Sequence, residues 1–208
     1  MIYSSLLVTP IGLTQLFFVP EYWFPKSTLF NLTTKIGLDI ESFLFSFAVG
    51  GIAAVLYEEL LDEHLKRKRK LVIEGKKLSV FLALILAIFM VVFKLGIKIN
   101  FMYASIISMV AGTLFILIFR RDLIKESIFG GVLFMVIYFF AFIILNNAIF
   151  PNWALTTWNL QNLSGILIIG TPIEELLWAL TFGFLWAPIY EELQGYTIKE
   201  EEIHKKKK

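Results

Sequence analysis

The chain has no cysteine, which excludes a disulfide framework and any zinc site built on thiolates. Its only two histidines, His64 and His204, lie in charged stretches without further ligands at metal-binding spacing. No metal site is therefore expected. Neither a G-x-G-x-x-G run nor a P-loop occurs, so no dinucleotide or nucleotide cradle is expected, and no cofactor is called for. Charged residues make up only 17% of the chain, against 58% hydrophobic residues. That balance is too apolar for a soluble domain.

What the chain has is a series of apolar runs of membrane-spanning length. A helix needs roughly 20 apolar residues to cross the hydrocarbon. Spans are expected near 2–19, 38–60, 78–96, 100–119, 127–149 and 170–193. The first is short and contains Pro10. The expected fold class is all-α: a polytopic membrane bundle of about six transmembrane helices. The loops "EHLKRKRKLVIEGKK" and "RRDLIKE" and the tail from Lys199 to the closing "HKKKK" collect 15 of the 19 Lys and Arg residues on one side. The positive-inside rule places that side, with the C-terminus, in the cytoplasm of a cell-membrane protein. Beside so many apolar runs, the basic tail is read as a contact for anionic lipid, and no nucleic-acid partner is expected.

Two of the apolar runs are alike. Residues 37–60, "GLDIESFLFSFAVGGIAAVLYEEL", align without gaps on residues 170–193, "GTPIEELLWALTFGFLWAPIYEEL". Ten of the 24 positions are identical, among them Gly37/Gly170, Glu41/Glu174, Gly50/Gly183 and the closing Tyr-Glu-Glu-Leu. The approaches also correspond: "PEYW" and "NLTTKIG" before the first copy, "PNW" and "NLQNLSG" before the second. The pattern reads as an internal parallel duplication, related by an axis along the membrane normal. It predicts Glu41 and Glu174 at similar depth, facing a shared aromatic interior.

Carboxylates inside spans are costly and usually functional. Glu174 and Glu175 follow Pro172, where acids also suit a helix start by complementing its dipole. Glu174 is the stronger functional candidate because the first copy repeats it as Glu41.

The "PIEE" entry, the preceding "WNLQNLSGILIIG" and the closing "APIYEEL" resemble the membrane-integral lycopene cyclases, made of two related three-helix domains. That family carries Pro-x-Glu-(Glu/Asp) at the start of the last helix of each domain. The resemblance is strongest over 104–193. In the first copy Asp39 stands for the proline and Ser42 for the second acid, and that half is shorter by about one helix. The resemblance divides the chain into a first, N-terminally shortened cyclase-like repeat (1–77), a linking helix (78–99), a second repeat (100–193) and a basic tail (194–208).

The resemblance implies carotenoid biosynthesis by a non-redox, acid-catalysed cyclisation of lycopene-type ends to β-ionone rings, an intramolecular isomerisation. Glu174, Glu175 and Glu41 would be catalytic, with Pro172, Trp178, Trp158, Phe45 and Asp39 around the substrate. Further aromatic candidates by position are Phe43, Trp153 and Trp186. Two alternatives stay open: a carotenoid hydratase in which water captures the same cation, and a non-catalytic carotenoid-binding partner subunit. The implied partners are a lipophilic carotenoid, the lipid bilayer, and further copies of the chain or other carotenoid enzymes.

The charge pattern generates a topology prediction. Single cysteines at Lys26, Gln161 and Lys206 are probed in intact cells with an impermeant thiol reagent. Positions 26 and 161 are expected to label and position 206 to be protected; the converse pattern reverses the orientation.

Overall fold

The computed structural model describes residues 1–25, 28–61, 65–67, 86–96, 99–194 and 196–198. Most of the basic loop at 61–77, the start of the expected 78–96 span, both histidines and most of the 194–208 tail lie outside the described residues. The rest is helical apart from short strands. The first helix, α1 (Ile2–Val8), runs through a 3₁₀ stretch, Thr9–Thr14, into α2 (Gln15–Phe18). Pro10 lies in that stretch, where a ring without an N–H is tolerated. Then come α3 (Leu32–Ile36), α4 (Ile40–Leu61), α5 (Leu86–Gly96), α6 (Phe101–Phe119), α7 (Ile124–Ile144), α8 (Trp153–Thr157) and α9 (Ile173–Gln194).

Two helices are long and apolar enough to cross a membrane, Phe101–Phe119 and Arg121–Ile149. A third candidate arises if Leu29–Ile36 and Ile40–Leu56, bent by 102°, count as one span. Ile2–Phe18 and Leu86–Gly96 are shorter apolar helices. Helix is present in part of every expected span, but only two helices, or three with the bent pair, are long and apolar enough to cross, so about six spans are not shown. The sharp bend at 37–39 shows that the approach to α4 turns across the end of the bundle.

Glycines set the helix spacing. α1 lies against α4 at Gly50, where an added Cβ would come within 2.5 Å of Val8 Cβ. α7 lies against α9 at Gly183, where a Cβ would come within 2.7 Å of Gly131 Cα. Small residues at such crossings let backbones approach closely, which is the main source of helix association in lipid. A polar strut ties three helices together below these crossings. The Trp186 indole N–H donates to Ser4 Oγ and to the Gly50 carbonyl, both at 2.8 Å. Trp186 is therefore engaged in joining α9 to α1 and α4.

Short strands occur at both ends of α9. β1 (Leu65–Arg67) pairs antiparallel with β4 (Tyr196–Ile198), with Leu65 opposite Ile198. The segments that follow α4 and α9 therefore lie on one face of the bundle. At the opposite end, β2 (Leu167–Ile168) and β3 (Thr171–Pro172) form a hairpin. Its two turn residues, Ile169 and Gly170, have φ of +49° and +79°. Positive φ at both positions gives the turn the twist of its strands. For a β-branched residue such as Ile169 the conformation is a strained one. Gly170 is required twice over, because an added Cβ would also come within 2.4 Å of Asn146 Nδ2. Gly37, before α4, has φ +74°.

The crossing at Gly183 predicts a steep response to one methyl group. Gly183→Ala places a Cβ against backbone and is expected to cost about 1–3 kcal/mol as overpacking. Gly96→Ala meets nothing within 4 Å and should leave stability unchanged. Thermal unfolding in detergent distinguishes the two.

Candidate functional site

The first turn of α9 carries Glu174 and Glu175. Neighbouring residues on a helix point about 100° apart, at 3.6 residues per turn, so the two acids face different partners. Both are buried, at 1% and 5% exposure. Pro172 is fully buried ahead of them.

Glu175 points toward α7 and the loops that carry Tyr22 and Trp158. Its Oε1 accepts from the Tyr22 hydroxyl at 2.5 Å and from the Trp158 indole N–H at 2.8 Å. Its Oε2 accepts from the Tyr138 hydroxyl of α7. Burial and the adjacent Glu175 push the Tyr22 hydroxyl well above the ordinary tyrosine range, so it remains a donor. Glu174 points toward α6. Its Oε1 accepts from the Tyr103 hydroxyl at 2.7 Å and from the Ser164 backbone N–H at 2.8 Å. Its Oε2 is buried and has no hydrogen-bond partner among the described residues, and neither has the hydroxyl of the fully buried Thr171 three residues earlier. Buried polar atoms are seldom left unsatisfied, and exceptions gather at functional sites.

The loops that deliver these donors are fastened to each other. Phe24 N donates to the Thr157 carbonyl at 2.7 Å, and Asn159 N to the Tyr22 carbonyl at 2.9 Å. This places Trp23 opposite Trp158. The side-chain amides of Asn100 and Asn162 both donate to the Glu21 carbonyl. Asn146, at the end of α7, accepts from Ala154 N at 2.8 Å and holds α8 in place. The strip 21–24 is thereby a fixed part of the site.

Aromatic rings surround the pair. Tyr138 packs against Trp178 at 6.0 Å, Phe45 at 6.3 Å and Phe142 at 6.3 Å between ring centres. Trp178 stacks on Phe182 at 5.1 Å and meets Phe45 at 5.8 Å. Trp158 meets Phe142 at 5.3 Å and Trp153 at 4.8 Å. The structure thus brings together Glu174, Glu175, Pro172, Trp158, Trp178 and Phe45. Phe43 instead packs on Gly12.

It does not bring Glu41 to them. Glu41 is exposed and accepts from Leu29 N at 2.6 Å. The shared interior expected for Glu41 and Glu174 is not formed, because the chain before α4 folds back as a loop whose free N–H takes up Glu41. Asp39 is buried, but as the cap of α4. Its Oδ1 accepts from Ser42 N at 2.6 Å; its Oδ2 accepts from Gln15 at 2.7 Å and Thr33 at 2.8 Å. Among the described residues no group of His, Cys, Asp or Glu could hold a metal ion.

Tyr22, Tyr103 and Tyr138 were missed in the sequence. The available signal was a phenol inside or beside an apolar run, since a buried tyrosine hydroxyl needs a partner.

Residues 100–193 match the family model for lycopene cyclase. Over this segment, a little under half of the chain, the sequence is similar to the lycopene cyclase family. The match runs from just before α6 into the last turn of α9, so it takes in Tyr103, Tyr138, Trp158, Glu174 and Glu175. It leaves out Tyr22, Asp39 and Glu41. No curated protein and no solved structure matches the chain. The similarity supports an enzyme of carotenoid cyclisation, and with the apolar helices it supports a membrane protein.

The donor set of Glu175 predicts a stability effect. Tyr22→Phe keeps the ring and removes one hydrogen bond to a buried carboxyl group. Such bonds are worth about 1.5–3 kcal/mol when one partner is charged. Chemical unfolding in detergent should show a loss of that order, and Tyr3→Phe, at an exposed position, should show none.

Proposed function

We propose that the chain is an acid-catalysed carotenoid cyclase whose reaction centre is the Glu174–Glu175 pair at the outer end of α9. One observation carries this: of two adjacent buried carboxyl groups, one has both oxygens engaged by three donors, while the other keeps a buried oxygen free. Two neighbouring carboxylates resist being ionised together. Glu175, with two hydroxyls and an indole N–H directed at it, is the better solvated anion. Glu174 holds the proton, on Oε2.

Cyclisation then proceeds without net transfer of electrons. Glu174 Oε2 donates its proton to the terminal double bond of the linear carotenoid, forming a C–H bond and leaving a tertiary cation. The neighbouring double bond attacks it, forming the ring C–C bond and moving the positive charge into the ring. Glu174, now a carboxylate, takes a proton from the adjacent ring carbon. The ring double bond forms and the enzyme returns to its starting state.

Magnitudes identify the main stabiliser of the cation. A carboxylate about 4 Å from a unit positive charge contributes about 4 kcal/mol at an effective dielectric constant near 20. Aromatic faces such as Trp178 and Phe45 contribute about 0.5–2 kcal/mol each. The Glu175 charge is the larger effect, and the rings also exclude the water that would capture the cation.

The same proposal includes the six-helix arrangement and the internal duplication. Three features support it. Gly50 and Gly183, equivalent in the alignment, each seat the helix of their own half. Glu41 and Glu174 each accept a backbone N–H from the loop before their helix. Leu65 pairs with Ile198, its counterpart when the alignment is continued past residue 193, as a twofold axis through that pair requires.

The test is expression in a lycopene-accumulating bacterium with chromatography and mass analysis of the pigments. Ring products of unchanged mass are expected; a gain of one water would instead identify a hydratase. Glu174→Gln should lower conversion by about 10²–10⁴-fold, the usual loss for a general acid. Glu175→Gln should also fall strongly, and Glu192→Gln, at the other end of α9, should be near wild type. Wild-type conversion by Glu174→Gln removes the mechanism.

A further inference from the structure

The two halves of the chain do not form two equivalent reaction centres. Asp39 stands at the position of Pro172, and both its oxygens are engaged, by Ser42, Gln15 and Thr33. Buried and held by these three groups, Asp39 serves the start of α4, and Ser42 replaces the second acid. Glu41, the counterpart of Glu174, is exposed, and among the described residues its carboxyl group accepts from Leu29 N. A cation formed beside an exposed group has no enclosing wall of side chains around it, whereas ring closure needs an enclosed site. The first half contributes instead to the other centre. It supplies the Tyr22 hydroxyl to Glu175 and the Phe45 ring to Trp178 and Tyr138.

From this we infer that the protein has a single reaction centre assembled from both halves, and that it closes one carotenoid end per binding event. The inference rests on the cyclase function proposed above and adds its stoichiometry. A linear carotenoid has two identical ends, far apart. Its length is comparable with the hydrocarbon core, about 30 Å thick, so a second end cannot reach the same pair while the first is bound. The half-cyclised product has to leave into the lipid and rebind by its open end. The substrate class of the centre is therefore any carotenoid with one open isoprenoid end, whatever the state of the other. An enzyme with two working centres would act on both ends in one residence.

The experiment uses the full chain in lipid vesicles loaded with lycopene, sampled through the first turnovers. The expected result is a one-ring product that appears first, with the two-ring product following after a lag or not at all. Glu41→Gln, changed at an exposed position outside the centre, should alter neither the rate nor the ratio of products by more than about twofold, within the range of neutral surface substitutions. Asp39→Asn should lower the yield of folded protein without changing that ratio. Two-ring product from the earliest samples without a one-ring precursor would overturn the single centre. So would conversion of the two-ring product to a one-ring end product by Glu41→Gln. Either of those leaves the cyclase function standing, whereas failure of the wild-type protein to form any ring would overturn that function and the inference with it.

Discussion

The half of the molecule around the start of α9 is organised by the buried carboxyl group of Glu175. A charge taken out of water costs several kcal/mol unless donors replace its hydration. Here the donors come from Tyr22, Tyr138 and Trp158, which are 153, 37 and 17 residues away in the chain. Meeting that demand requires α7 beside α9, the loop carrying Trp158 above them, and the strip 21–24 docked onto that loop. The backbone bonds between 22–24 and 157–159, the cap of Asn146 on α8 and the ring contacts around Tyr138 serve this arrangement. Glu174, one residue earlier, turns to Tyr103 of α6 and so ties in the remaining long helix.

The two halves have equivalent packing and different chemistry. Gly50 and Gly183 occupy matching crossings, where a missing side chain lets one backbone meet another. Such contacts depend only on shape. The acids at the helix starts have diverged. With Pro172 in place, the start of α9 has no side-chain cap at that position, and its acids are free to take partners from α6, α7 and the loops. With Asp39 in its place, the start of α4 is capped locally and its acid is consumed by that task. The residue at the entry of each helix thus separates a locally capped start from one whose acids reach partners on other elements.

How far the sequence could be read depends on the range of each interaction. Glu174 and Glu175 could be located because their oddity is local: carboxyl groups just after a proline at the head of an apolar run. Their burial and their aromatic neighbours Trp158, Trp178 and Phe45 follow from the same pattern. The expectation for Glu41 failed because identity in an alignment fixes position along a helix and not the path of the loop before it. That loop turns by 102° into α4 and offers its own N–H. The hairpin at 167–172 was hidden for a similar reason. Its turn uses Ile169 at positive φ, which no propensity suggests.

By itself the sequence determined the mainly helical, apolar character of the chain, the places of its two long apolar helices, and the acid pair at the head of α9. Apolar content and helix-entry signals act over a few residues, so they are complete in one dimension. The tertiary structure decided which acid keeps a free oxygen, which three side chains solvate the other, and that the first half lends a tyrosine instead of a second acid pair. Those outcomes depend on where donors from distant segments come to rest. Hydrogen bonding beyond the local turn leaves no periodic trace in the order of the residues.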